Sequence, residues 1–247
     1  MKFFAFHLMP YRHLDFEKAD AYRSYWVVLP NSHYDPKKGP RLYQEYIDQL
    51  VFAAKVGFDG ICVNEHHQTA YGLMPAPNII ASALIDRTRG MEVKIAVIGR
   101  ALPIVSNPLT IAEEFAMLDN LSDGRLIAGF VRGIGCEYHS TEVNPIYSHE
   151  RFHEAHDLIV RAWTEPGPFA FEGEHYNFSY VNTWIGRGSE GRRPPSWHHA
   201  VLRQHAQVDQ EGGLGVPGRL GYRRRVHVAV HGGVLRLPDP EPDRDLQ

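Results

Sequence analysis

Only two cysteines occur in 247 residues, Cys62 and Cys136, both in apolar or glycine-rich surroundings. A disulfide framework is thereby excluded, and a reducing, cytoplasmic setting is the expectation. No stretch approaches the roughly 20 apolar residues of a membrane-spanning helix, so no membrane is expected as a partner. The net charge of −3 lacks the positive excess that nucleic-acid binding requires. The apolar start, Met1 to Met9, soon meets Pro10, Tyr11 and Arg12 without a small-residue cleavage site, and so reads as a first strand and not a signal peptide.

A second set of absences divides the chain near Trp184. All twelve Phe precede it, and residues 185–247 contain no Phe, Lys, Asn, Thr, Met or Cys but ten Arg and ten Gly. Runs such as Arg223-Arg224-Arg225 and Pro238-Asp239-Pro240-Glu241-Pro242 offer little amphipathic periodicity with which to cover a core. The missing types have mostly A/T-rich codons and the enriched ones mostly G/C-rich codons. That is the composition of a GC-rich gene read out of frame, with a natural disordered tail as the alternative. The expected division is therefore 1–184 as the folded part and 185–247 as a low-order tail.

Within 1–184 the pattern alternates helix and strand. Tyr43, Ile47, Leu50, Val51 and Ala54 share one helical face, and Phe58 to Val63 reads as a buried strand. Pro77 opens a second helix that Gly90 stops, and Val93 to Ile98 reads as another strand. Pro108 opens a third helix ended by Ser122-Asp123-Gly124, Arg125 to Val131 follows as a strand, and Ser148 to Trp163 as a helix ended by Pro166-Gly167-Pro168. Residues 169–184 alternate aromatic and polar types around Gly173, like an excursion of short antiparallel strands. Counting the first strand, four βα units with wholly apolar strands imply a parallel sheet covered on both faces, half of an eight-unit barrel.

Three constellations could carry chemistry. Glu65-His66-His67 follows a buried strand where α/β folds place their sites; an imidazole moves protons near neutral pH, and a carboxylate can fix its tautomer. Its other reading is a His pair that closes a strand by hydrogen bonds. Gly129-Phe130-Val131-Arg132-Gly133-Ile134-Gly135 combines close backbone approach with a forked cation suited to phosphate, and equally reads as a turn with a solvated Arg. It is not G-x-G-x-x-G and lacks the downstream acid, which argues against a Rossmann nicotinamide site. His149-Glu150-Arg151-Phe152-His153 matches H-E-x-x-H, with Glu172 or Glu174 conceivable as a third zinc ligand. With fifteen His in the chain a chance match is cheap, and the polar face of a helix is the better reading. Tyr71 and Met74 fit core, lid or substrate pocket equally, and Asp119 with Arg125 reads as a structural helix-to-strand pair.

Together these segments resemble the bacterial-luciferase-like flavin-dependent monooxygenases. The matching residues run from Val56-Gly57-Phe58-Asp59 through Asn64-Glu65-His66-His67, Leu73-Met74-Pro75-Ala76-Pro77-Asn78 and Asn107-Pro108-Leu109 to Leu118-Asp119-Asn120-Leu121-Ser122-Asp123-Gly124-Arg125 and Gly129-Phe130-Val131-Arg132-Gly133. The resemblance implies an incomplete (β/α)₈ TIM-type barrel of about four βα units. It implies FMN, reduced by a separate flavin reductase, or in some relatives the deazaflavin F420, and no metal. The oxygenase branch would use O₂ to oxygenate a small apolar or carbonyl substrate; the F420 branch would transfer hydride instead. By the same resemblance His66 is catalytic, Arg132 and Gly133 meet the flavin phosphate, Gly99 and Asn64 lie near the ring, and Glu65, His67, Tyr71 and Met74 line the substrate pocket. A homodimer through barrel helices fits the same picture. Four more βα units, present in the family, are not evident after Ile185. Half a barrel would leave two sheet edges unpaired and apolar faces uncovered, so the chain as written is expected to fold poorly, or only with a partner, and to bind flavin weakly.

Overall fold

The strands form where short apolar runs lie between helix stops, and their order in space follows their order in sequence. A computed structural model describes residues 1–185 together with the backbone of residues 227–230 and 233–236. Along the chain come β1 (Phe3–Phe6), α1 (Phe16–Ala19), α2 (Gly39–Lys55), β2 (Gly60–Val63), α3 (Pro77–Arg87), β3 (Lys94–Ala101), α4 (Pro108–Ser122) and β4 (Leu126–Val131). There follow α5 (Gly135–Thr141), α6 (Ser148–Thr164), the hairpin β5 (Phe169–Glu172) and β6 (Asn177–Val181), then β7 (His227–Val230) and β8 (Gly233–Arg236).

Strands β1 to β4 are parallel neighbours in the order β4-β3-β2-β1. Each is returned by a helix on the outer face, which is the arrangement of consecutive units in a barrel. Pro77 and Pro108 open α3 and α4, and Asp123 in left-handed conformation ends α4 as the Ser-Asp-Gly signal implied. Helix α2 buries Leu42, Tyr46, Ile47, Leu50, Val51 and Ala53. Its apolar stripe is thus rotated slightly from the expected one, with Tyr43 and Ala54 at its margin.

Alternation sorts the strand residues onto two faces. Ile61, Val63, Ile95, Val97, Leu126 and Phe130 pack outward against the helices in the main core. Phe4, Cys62, Ala96, Ile98 and Ile127 form a second buried cluster on the other face, with Cys62, Ala96 and Ile127 side by side in the register. The expectation of uncovered apolar faces is corrected here, because these five side chains are at most 7% exposed.

The expected pair of open edges is also corrected on one side. β1 pairs in parallel with β7, which turns back antiparallel into β8, because Phe3 to Ala5 have unsatisfied backbone groups that a strand can take up. Among the described residues β4 has no neighbour beyond β3. The reading of the remainder of 185–247 as an out-of-frame or disordered tail lies outside the described residues. No helix among the described residues is long and apolar enough to cross a membrane.

Candidate functional site

Because β1 to β4 are parallel, the segments that leave their C-terminal ends meet on one rim. His66 follows β2 and Arg132 follows β4, so the two residues stand at the same end of the sheet. The loop after β2 is held in shape by backbone hydrogen bonds from His66 to Met74 (3.2 Å), from Leu73 to Met9 (2.8 Å) and from Tyr11 to Ala70 (2.8 Å). A cleft of about 570 Å³ lined by Ile85, Arg89, Met91, Leu121, Asp123 and Arg125 lies among the loops that enter β3 and β4, at the opposite end, and holds none of the candidate residues.

His66 is oriented by a residue that the sequence reading missed. Its Nδ1 lies 2.8 Å from Oε1 of Glu137, a carboxylate only 2% exposed on α5. The other oxygen, Oε2, accepts the backbone N–H of Ile134 at 2.9 Å, and the Cys136 thiol donates to Oε1 at 3.1 Å. Burial pushes the Glu137 carboxyl up, but the hydrogen bonds from His66, Cys136 and Ile134 outweigh it and hold its pKa below the ordinary value. A carboxylate fixed in this way accepts from Nδ1–H, and in the neutral ring that selects the tautomer whose Nε2 is the acceptor. The available signal was a Glu three residues after Ile134, the spacing at which a first-turn acid reaches back to the start of a helix.

The depressed pKa has a sign for stability. Glu137 contributes fully above its unfolded pKa of about 4.3, and that contribution is lost as pH falls through the lower folded value. In chelator-treated buffer, the melting temperature of wild type is expected to exceed that of Glu137→Gln near neutrality, with the gap closing below about pH 4. A gap that stays constant from pH 7 down to pH 3 would contradict this assignment.

A second network lies beneath the first. Glu65, 1% exposed, pairs with Arg100 at the end of β3, accepts the Ala101 N–H at 2.6 Å and meets His67 Nε2 at 2.7 Å. His67 and Glu65 thus brace β2 against β3, and Arg100 is a further residue unseen in the sequence reading. The fourth predicted pocket residue, Met74, is 1% exposed in the main core, so its side chain is part of the packing beneath the rim. Tyr71 stands edge-on to His66 at 5.1 Å and stacks at 4.1 Å on Trp26, another residue the sequence reading passed over.

Three groups test whether a flavin-like ligand suits this rim. Asn64 is buried at the end of β2, and its Oδ1 has no hydrogen-bond partner among the described residues, so an acceptor is on offer to a ligand N–H. At Gly99 an added Cβ would lie 2.9 Å from the Gly129 carbonyl oxygen, so β3 and β4 close together only without a side chain there. Arg132 is exposed, and Gly133 after it adopts φ +82, which lets the chain turn into α5. Asn64 and Arg132 are thus of the types that the ring and phosphate ends of such a group require, whereas Gly99 is demanded by the packing of β3 on β4.

The zinc reading fares differently. His149 and His153 do lie on one face of α6, with Nε2 atoms 3.3 Å apart. Among the described residues no third metal-binding side chain joins them. Arg125 is structural, donating to the carbonyls of Ser122, Val93 and Ile85 and to the Thr88 hydroxyl.

Parallel strands in sequence order, each returned by a helix on one face, make the arrangement of an α/β barrel. The family model for luciferase-like monooxygenases matches residues 23–216, and the chain belongs to that family. The match continues past the compositional break at Trp184. The alkanal monooxygenase beta chain of Photorhabdus luminescens is 31% identical over 144 residues, 56% of this chain and 40% of that protein. Monooxygenase RslO1 from Streptomyces bottropensis superposes with a TM-score of 0.58 at 28% identity, covering 74% of this chain and 49% of the other. Two more distant structures share the fold. The oxygenating constituent of 3,6-diketocamphane monooxygenase from Pseudomonas putida, in complex with FMN, gives a TM-score of 0.55 at 18% identity, covering 73% and 44%. An F420-dependent secondary alcohol dehydrogenase gives 0.53 at 21%, covering 60% and 46%. The chain spans less than half the length of each of these proteins.

Proposed function

We propose that residues 1–184 carry the His-bearing half of a flavin-dependent monooxygenase site that oxygenates a small apolar or carbonyl substrate with reduced FMN and O₂. The single observation that supports this most is the His66–Glu137 pair joined across β2 and β4 on the rim. In this reading Asn64 and Gly99 hold the ring end of the flavin, and Arg132 with Gly133 holds its phosphate. A reduced flavin held by these residues would supply the two electrons that O₂ needs. His66, with Nδ1 held by Glu137, gives or takes a proton at Nε2 beside the reacting atoms. Tyr71 and Trp26 stand edge-on to the His66 ring at 5.1 and 6.4 Å and stack on each other, which limits how far the ring can turn. Glu65, Arg100 and His67 keep the ends of β2 and β3 in place. A separate flavin reductase, a cytoplasmic location and a homodimer go with this reading.

The second reading within the family, hydride transfer with F420, uses the same rim without O₂, and the shared fold of the F420-dependent dehydrogenase keeps it in view. The test is an absorbance titration of the purified chain with FMN and with F420, followed by turnover of a medium-chain aldehyde with and without O₂. We expect FMN to bind, Arg132→Ala to weaken it roughly tenfold through the lost phosphate contact, and product oxygen to come from ¹⁸O₂. Turnover that persists without O₂ overturns the monooxygenase reading, and a folded chain that binds neither cofactor overturns both.

A further inference from the structure

We propose that His66, Cys136 and Glu137 form a binding site for a soft divalent cation, with Zn²⁺ the best match. Their donor atoms, the imidazole Nδ1, the thiol Sγ and a carboxylate oxygen, all lie within 4.8 Å of one another. Those are the three ligand types that zinc takes, and zinc in four-coordination accepts three protein donors with water in the fourth position. The distances are close to what such an ion needs. Nδ1 to Oε1 is 2.8 Å and Sγ to Oε1 is 3.1 Å. Zinc bonds of about 2.0–2.3 Å at tetrahedral angles separate ligand atoms by roughly 3.3–3.7 Å, so the trio would part by about half an ångström.

The scaffold suits this use. Cys136 and Glu137 are consecutive, both buried, on α5, so two donors share one rigid element. His66 comes from the loop after β2, with its side chain 15% exposed, and faces solvent on the rim. Among the described residues no comparable third donor accompanies His149 and His153, which distinguishes the buried trio from an ordinary surface pair. Binding releases the Cys136 thiol proton to solvent, and the ring proton leaves Nδ1 for Nε2 as Nδ1 takes the ion, so His66 binds as a neutral imidazole. With Nδ1 on the ion and the ring proton on Nε2, His66 has no nitrogen left to accept a proton, and its proton chemistry stops. The site itself stands whether or not the flavin reading does.

The test uses the full chain in a His149→Ala/His153→Ala background, so that the surface pair contributes nothing. Co²⁺ serves as the spectroscopic probe, and Zn²⁺ is measured by competition with a chromophoric chelator. We expect one ion per chain with a thiolate-to-cobalt charge-transfer band. Cys136→Ser should abolish the band, and both Cys136→Ser and Glu137→Gln should weaken Zn²⁺ at least about tenfold, the latter with the band retained. Circular dichroism establishes that each variant is folded. Should Cys136→Ser not fold, His66→Asn takes its place and is expected to weaken Zn²⁺ by a similar factor. A folded protein that gives no thiolate band, a band that survives Cys136→Ser, or Zn²⁺ affinity unchanged in His66→Asn overturns the site.

Discussion

His66→Ala is expected to lower turnover by roughly 10²- to 10⁴-fold, the usual worth of a positioned proton-transfer group, while FMN binding changes little. The reason is geometric. Glu137 holds Nδ1 at 2.8 Å and thereby fixes which nitrogen is free. Removing the ring removes the proton carrier but leaves Asn64, Gly99 and Arg132 where they are. Glu137→Gln should give an intermediate loss, because the ring remains but its tautomer is no longer set by a carboxylate. Steady-state rates with FMN affinity measured in parallel check this, and a His66→Ala variant that turns over at the wild-type rate would exclude His66 from the chemistry.

The first of these residues was open to sequence reasoning; for the second only its capping position was, not its partner, and the difference is physical. His66 stands at the end of a buried apolar run, a local pattern that fixes its place on the rim. Glu137 lies 71 residues away and reaches His66 only because β2 and β4 are parallel and both end on the same rim. Nothing local about Arg100 or Trp26 points to their partners either. Element types were well marked, since proline, glycine and apolar spacing act over a few residues. The short helix α5 lacked such marks, having only seven residues and no long apolar face. The pairing of β1 with β7 was hidden for another reason: it joins two stretches more than two hundred residues apart, one of them in a segment whose composition gave no sign of a core.

Trp163→Ala is expected to lower stability by about 3–5 kcal/mol, a large part of the roughly 5–15 kcal/mol by which a domain is held. The ring is 1% exposed, stacks on Phe130 at 6.1 Å and meets Phe115 at 6.4 Å. Its indole N–H donates to the Ala112 carbonyl at 2.7 Å and so joins α6 to α4. Removing it empties a cavity and strips a buried acceptor of its donor. Trp163→Phe should cost less, since most of the volume stays. Denaturant or thermal melts of the two variants measure the difference, and an alanine variant that melts with wild type would show that this corner of the core is not under load.

The hairpin of β5 and β6 carries a last consequence. The Glu154 carboxylate on α6 accepts the backbone N–H groups of Glu174, His175 and Tyr176 at 2.6–3.1 Å, and the Tyr176 hydroxyl donates to the Val105 carbonyl. The bend of the hairpin is therefore fastened both to α6 and to the segment after β3. An excursion riveted in two places behaves as a buttress and not as a flap, so the segment after β3 leans on a fixed support.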